Sequence, residues 1–132
     1  MPKQVVSSPD LHEPPGGTTY SHAFVVTGGK TIYVSGMTAR DKNGETVGVG
    51  DMRAQMTQVL ENLKSVVTAA GGTLADVVKI TIFTRDIKAT QQTSDIRKSY
   101  FSKPYPGSTL VEISRLADET FLVEIEAIAV IG

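Results

Sequence analysis

Apolar residues along the chain follow two different periods. From Met52 they recur at Met52, Met56, Val59, Leu60, Leu63, Val66, Val67 and Ala70, and steps of three and four draw one continuous stripe down a helix. Asp51 stands where its side chain can cap the first turn, and Gly71-Gly72 where a left-handed C-terminal cap belongs. Residues 77–84 alternate instead, with Val78, Ile80 and Ile82 set against Lys79 and Thr81, which predicts a strand buried on the Val78, Ile80, Ile82 side. A second, weaker helix is expected over 90–101, with Ile96, Tyr100 and Phe101 as its apolar positions and Pro104 and Pro106 ending it. Residues 109–113 and 121–131 read as two further strands. Two short β-prone runs, 23–26 and 31–35, flank Thr27-Gly28-Gly29-Lys30, a spacing that predicts a β-hairpin.

Strand, strand, helix, strand, helix, strand, strand is an α+β pattern, a mixed β-sheet with two helices packed on one face. A length of 132 residues allows one core, so residues 1–132 are read as a single domain. Residues 1–19 supply an N-terminal strand and an arm, because the run Pro14-Pro15-Gly16-Gly17 can sustain neither a helix nor an interior strand.

Composition narrows the chemistry. Lys+Arg against Asp+Glu is 13 to 14, a net charge of −1, and no basic run stands out; the chain lacks an electrostatic footprint for phosphate backbones, and no nucleic-acid partner is expected. The absence of cysteine removes disulfides, thiol nucleophiles and thiolate metal sites. The only histidines, His12 and His22, are separated by the proline–glycine run and share no helical or strand face, so no metal site is expected. The N-terminus lacks an apolar signal core, and the most apolar stretch, 121–131, contains Glu124 and Glu126. No membrane segment and a cytoplasmic location are the resulting expectations.

The last strand carries the candidate chemistry. By its two-residue period, Phe121, Val123, Ile125, Ala127, Ala129 and Ile131 form a uniformly apolar face, while Leu122, Glu124, Glu126, Ile128 and Val130 point the other way. Two carboxylates among three aliphatics make a surface too apolar for bulk water and too charged for a dry core. A cleft or a subunit interface fits it. Desolvation there would raise a carboxyl pKa and yield a usable proton carrier, whereas the plain alternative is a pair of solvated rim glutamates. The preceding strand offers Ser108, Leu110, Glu112 and Ser114 on one side, yet no G-x-S-x-G context makes a serine nucleophile. Gly44, Gly48 and Gly50 lack the lysine and setting of a phosphate loop.

Several local strings, in this order and spacing, resemble the RidA/YjgF family of small trimeric proteins. They are Tyr20-Ser21-His22-Ala23, Ile32-Tyr33-Val34-Ser35-Gly36, Gln58-Val59-Leu60-Glu61-Asn62-Leu63, Ala69-Ala70-Gly71, Asp76-Val77-Val78-Lys79 leading to Phe83, and Val123-Glu124-Ile125-Glu126-Ala127-Ile128-Ala129. The resemblance implies a chorismate-mutase-like α+β fold in a homotrimer whose sheets form a central barrel and whose ligand clefts lie between subunits. It implies hydrolysis of enamine and imine acids to a keto acid and ammonia, with a small-molecule substrate and no metal or organic cofactor. Carried over by position, the family's tyrosine is Tyr20, its cleft glycine Gly36 and its water-activating glutamate Glu124.

The family's substrate-gripping arginine falls in a string that here reads Pro106-Gly107-Ser108-Thr109-Leu110-Val111-Glu112, and Ser108 stands in its place. Serine donates one neutral hydrogen bond where a guanidinium would grip a carboxylate with two charged ones. The family asparagine of the second helix is likewise Ser94. Arg97 is a candidate replacement cation, with Arg115 and Arg40 as others. Arginine-less relatives include 2-aminomuconate deaminase, and this branch makes Ser108 and Thr109 substrate-binding residues beside Tyr20 and Gly36. The competing expectation is a non-catalytic trimer that binds a metabolite or a protein in the same clefts.

Overall fold

The computed structural model describes residues 3–12 and 20–132. The Pro-Pro-Gly-Gly arm expected before Tyr20 lies outside these residues. Six strands, β1 (Lys3–Val6), β2 (Ala23–Val26), β3 (Lys30–Met37), β4 (Val77–Thr84), β5 (Gly107–Glu112) and β6 (Val123–Ile131), accompany helices α1 (Met52–Ala69), α2 (Ile87–Gln91) and α3 (Ser94–Tyr100). The main sheet runs β3-β6-β4-β5, antiparallel except for the parallel β4–β5 pair. Helix α1 packs on one face of it. No helix among the described residues is long and apolar enough to cross a membrane.

Local chemistry explains the ends of α1. The Asp51 carboxylate accepts from the Ala54 N–H at 3.1 Å, and Gly71, at φ +95°, takes the left-handed conformation that closes the helix. Met56, Val59, Leu60, Leu63 and Val67 meet Ile80, Ile82, Val123, Ile125 and Ala129 in the core, while Val66 stays at the rim. Gln55 is buried in the same stripe. Its side-chain amide donates to the Gly48 and Thr120 carbonyls (3.1 and 2.7 Å), and its Oε1 accepts from the Leu122 N–H at 2.8 Å.

Three local expectations are corrected. The hairpin between 23–26 and 31–35 does not form: Gly28 and Gly29 do turn the chain with φ of +68° and +75°, but β2 pairs with β1 in a separate two-stranded sheet and β3 pairs with β6. A tight turn reverses the chain without choosing which strand it pairs with. The second helix is two short ones, because the Thr93 hydroxyl donates to the Thr90 carbonyl at 2.6 Å and the backbone leaves helical geometry at Thr93. In β4 it is Val77, not Val78, that enters the core, since a register shift between Val77 and Lys79 inserts one extra residue.

The other face of the main sheet carries no helix. Cross-strand pairs set its side chains in rows: Glu124, Phe83 and Val111 in one; Glu126, Thr81 and Thr109 in the next; Tyr33, Ile128, Lys79 and Gly107 in a third. Tyr33 is 79% exposed there.

Candidate functional site

β6 delivers Glu124 to the open face because Val123 and Ile125 on either side of it are fully buried against α1. β3 makes room for it. Its pairing to β6 shifts between Val34 and Met37, so one extra residue is accommodated at Ser35–Gly36. The glycine has no side chain to spare: a β-carbon on Gly36 would sit 2.7 Å from Glu124 Cδ and overlap Oε2. The carboxyl group therefore lies directly on the Gly36 backbone. Burial raises the Glu124 pKa above its usual value, and the nearby negative charge of Glu126 raises it further. Such a group holds a proton nearer neutrality than a solvated glutamate does, and can both give and take it.

Glu126 lies in a cleft of about 370 Å³ on the same face, with Tyr33, Thr81, Lys79 and Ile128 around it. Lys79 Nζ donates to Thr109 Oγ1 at 2.6 Å, so Thr109 shares the open face with both glutamates. Ser108 does not. It is paired with the core residue Ile80, which turns it toward the helix-covered side. Tyr20 stands at the β5 edge, where the Ser21 N–H donates to the Pro106 carbonyl at 3.0 Å, the Ser21 hydroxyl bonds to the Tyr105 carbonyl, and Ser21 bridges to Gly107. Glu124 is two strands in from that edge, about 10 Å across the sheet. Within one chain, then, Gly36, Glu124 and Thr109 are on one face, with Tyr20 and Ser108 apart from them.

Arg97 is placed elsewhere. At 7% exposure it is buried in the helical layer, its Nη1 donating to the Thr90 carbonyl and to Thr93 Oγ1, both at 3.1 Å. Burial lowers its pKa. The layer that holds it lies across the sheet from Glu124. Arg40 lies with its guanidinium over the Phe121 ring, 4.9 Å from the centroid. Sequence reasoning passed over Phe83, the cross-strand neighbour of Glu124, and Gln55, which anchors the entry to β6 through Leu122. Gln55 had a visible signal, a lone amide inside an otherwise apolar helical stripe.

A family model described as endoribonuclease L-PSP matches residues 11–131. The chain is 37% identical to a RutC family protein of Pyrococcus horikoshii, with 96% of this chain and 97% of that protein covered. It is 35% identical to the 2-iminobutanoate/2-iminopropanoate deaminase of Dermatophagoides farinae, covering 98% of each. Among solved structures, a Rid-family protein of unknown function from Yersinia pestis superposes with a TM-score of 0.84 at 30% identity, covering 99% of this chain and 100% of that one. RidA from an Antarctic Psychrobacter does so with a TM-score of 0.72 at 33% identity, covering 97% and 99%.

Proposed function

The chain belongs to the endoribonuclease L-PSP family, also called RidA/YjgF or Rid, and on that premise we propose that it is a hydrolytic deaminase of enamine or imine acids. The observation that carries the reading is the Glu124 carboxyl, seated on the Gly36 backbone with its pKa raised by burial. The deaminase named among the relatives supports the same reaction class.

The chemistry asks little of the protein. An enamine takes a proton on carbon from the acid form of Glu124 and becomes an iminium. Water then attacks the iminium carbon while the resulting carboxylate accepts a proton from it, and the carbinolamine collapses to a ketone and ammonia. For an imine substrate only the hydration half is needed. Gly36 seats the carboxyl against its backbone, and Thr109 offers a hydroxyl on the same face.

Tyr20 and Ser108 contribute only if another copy of the chain brings its β5 edge to this face. A homotrimer is one closed arrangement that supplies such an edge three times and covers Tyr33, Ile128 and Phe83. An RNA substrate is disfavoured by the net charge of −1. A small-metabolite or protein-binding trimer without turnover is the second reading, favoured by the serine at position 108 in place of a gripping guanidinium.

Ammonia release from 2-iminopropanoate, 2-iminobutanoate and enzymatically generated 2-aminomuconate decides between them. The wild type is expected to release ammonia faster than the buffer reaction from at least one of these. Glu124→Gln is expected to lower that release about a hundredfold or more, as removal of a general acid–base does. Release unchanged by the substitution removes Glu124 from the mechanism. Thermal stabilisation by keto or dicarboxylic acids with no turnover of any imine favours the binding reading.

A further inference from the structure

A second cleft, of about 630 Å³, lies between the start of the segment after β4 and the loop that joins β5 to β6, lined by Arg85, Ser114, Arg115, Leu116, Ala117 and Glu119. Its position follows from the ladder. The Arg85 N–H donates to the Leu122 carbonyl at 2.9 Å, one step beyond the Thr84–Val123 pair that ends β4–β6 pairing. Side chains alternate, so with Thr84 buried in the core Arg85 follows Phe83 on the open side. Phe83 is the residue paired with Glu124. Arg85 therefore stands about 7 Å along β4 from the Glu124 row, two residues of strand rise.

The two guanidiniums in this cleft are available. Arg85 uses Nη1 on the Glu119 carbonyl at 2.7 Å, which leaves most of its fork unused. Among the described residues the one ion pair is Arg53–Asp95, and neither Arg85 nor Arg115 is in it. With two guanidiniums against the one carboxylate of Glu119, the lining keeps a net positive charge, and an anion held between the guanidiniums would neutralise it. Planar guanidiniums suit a planar carboxylate.

We propose that the Arg85–Arg115 cleft is a carboxylate subsite of the Glu124 site, and that the substrate is accordingly a dicarboxylic enamine or imine acid whose far carboxylate binds there. The inference rests on the deaminase reading above for the site it extends.

The test separates the subsite from the reaction by using two unreactive acids, muconate and sorbate, which share a six-carbon diene chain and differ by one carboxylate. Calorimetric titration of the wild type is expected to show muconate binding about tenfold or more tighter than sorbate. Arg85→Met and Arg115→Met are each expected to weaken muconate about tenfold while changing sorbate less than about twofold, with Arg85→Lys recovering part of the loss. Arg115→Met guards against misfolding, since Arg85 also braces the loop through Glu119, and melting curves of both variants check it. Equal wild-type affinity for the two acids overturns the subsite, as does a preference that survives both substitutions. If muconate preference follows the arginines but no imine acid is turned over, the subsite stands and the deaminase reading fails.

Discussion

Glu124 and Glu126 alternate with buried neighbours on one strand, yet only Glu124 is turned against a glycine. Its elevated pKa has two causes, burial first and the Glu126 charge second, and they are separable. In Glu126→Gln the second is gone, so the limb of kcat/KM set by Glu124, alkaline for an enamine that needs its acid form and acidic for an imine that needs its carboxylate, is expected to move to lower pH while remaining above the 4.5 of an ordinary glutamate. A limb that stays put assigns it to another group. Stability carries the complementary sign: a carboxyl whose folded pKa is raised stabilises the fold below its ordinary pKa and loses that contribution as pH rises through the elevated value. Glu124→Gln is therefore expected to be more stable than wild type at neutral pH and to match it in acid, read from urea midpoints across that range. Gly36→Ala places a β-carbon against the carboxyl. Since the strand is otherwise unaffected, the expected result is loss of most turnover with a melting temperature close to wild type. An alanine variant of unchanged rate would mean that the carboxyl can work from another position.

At the scale of elements, what could be read from the sequence was what depends on neighbours close in the chain. α1 showed itself because its stripe, its Asp51 cap and its Gly71 terminator are all local, and β6 because alternation needs no knowledge of a partner. The proximity of Gly36 to Glu124 was reachable only by resemblance, since a bulge 88 residues away in sequence brings them together. The false hairpin has the same origin: turn chemistry at Gly28-Gly29 is local, whereas the capture of β3 by β6 is not. Facing sets Ser108 and Arg97 apart from Glu124 within one chain, Ser108 toward the helix-covered side and Arg97 in the helical layer. A slip of one residue in β5 would have put Ser108 on the open side, and nothing in residues 106–112 fixes that phase. Arg85 was missed because it lies one residue past its strand, where alternation is no longer evident. Gln55 ties three elements through buried backbone groups. Gln55→Leu leaves the Thr120 carbonyl and the Leu122 N–H without partners, while the Gly48 carbonyl keeps the Asp51 N–H, and is expected to cost about 2–4 kcal/mol in denaturant unfolding. A cost below about 1 kcal/mol would show that water replaces the amide.

Taken whole, the chain presents a four-stranded sheet with one face sealed by helices and the other carrying Tyr33, Ile128, Phe83 and Val111 around its polar rows. If self-association covers that face, Ile128→Asp is expected to give a monomer by sedimentation and to lose deaminase activity together with assembly. Activity retained by a monomeric variant would confine the site to one chain. The bulge at Ser35–Gly36 makes the sheet unequally tolerant of length and of composition. Elsewhere along β3 a new side chain is a local matter, but deleting the extra residue here would restore an unbroken ladder to β6, with Met37 still opposite Ile125, and close the gap that receives the acid. Lineages descending from this chain should then keep Gly36, accept exchanges along the rest of β3, and preserve its residue count.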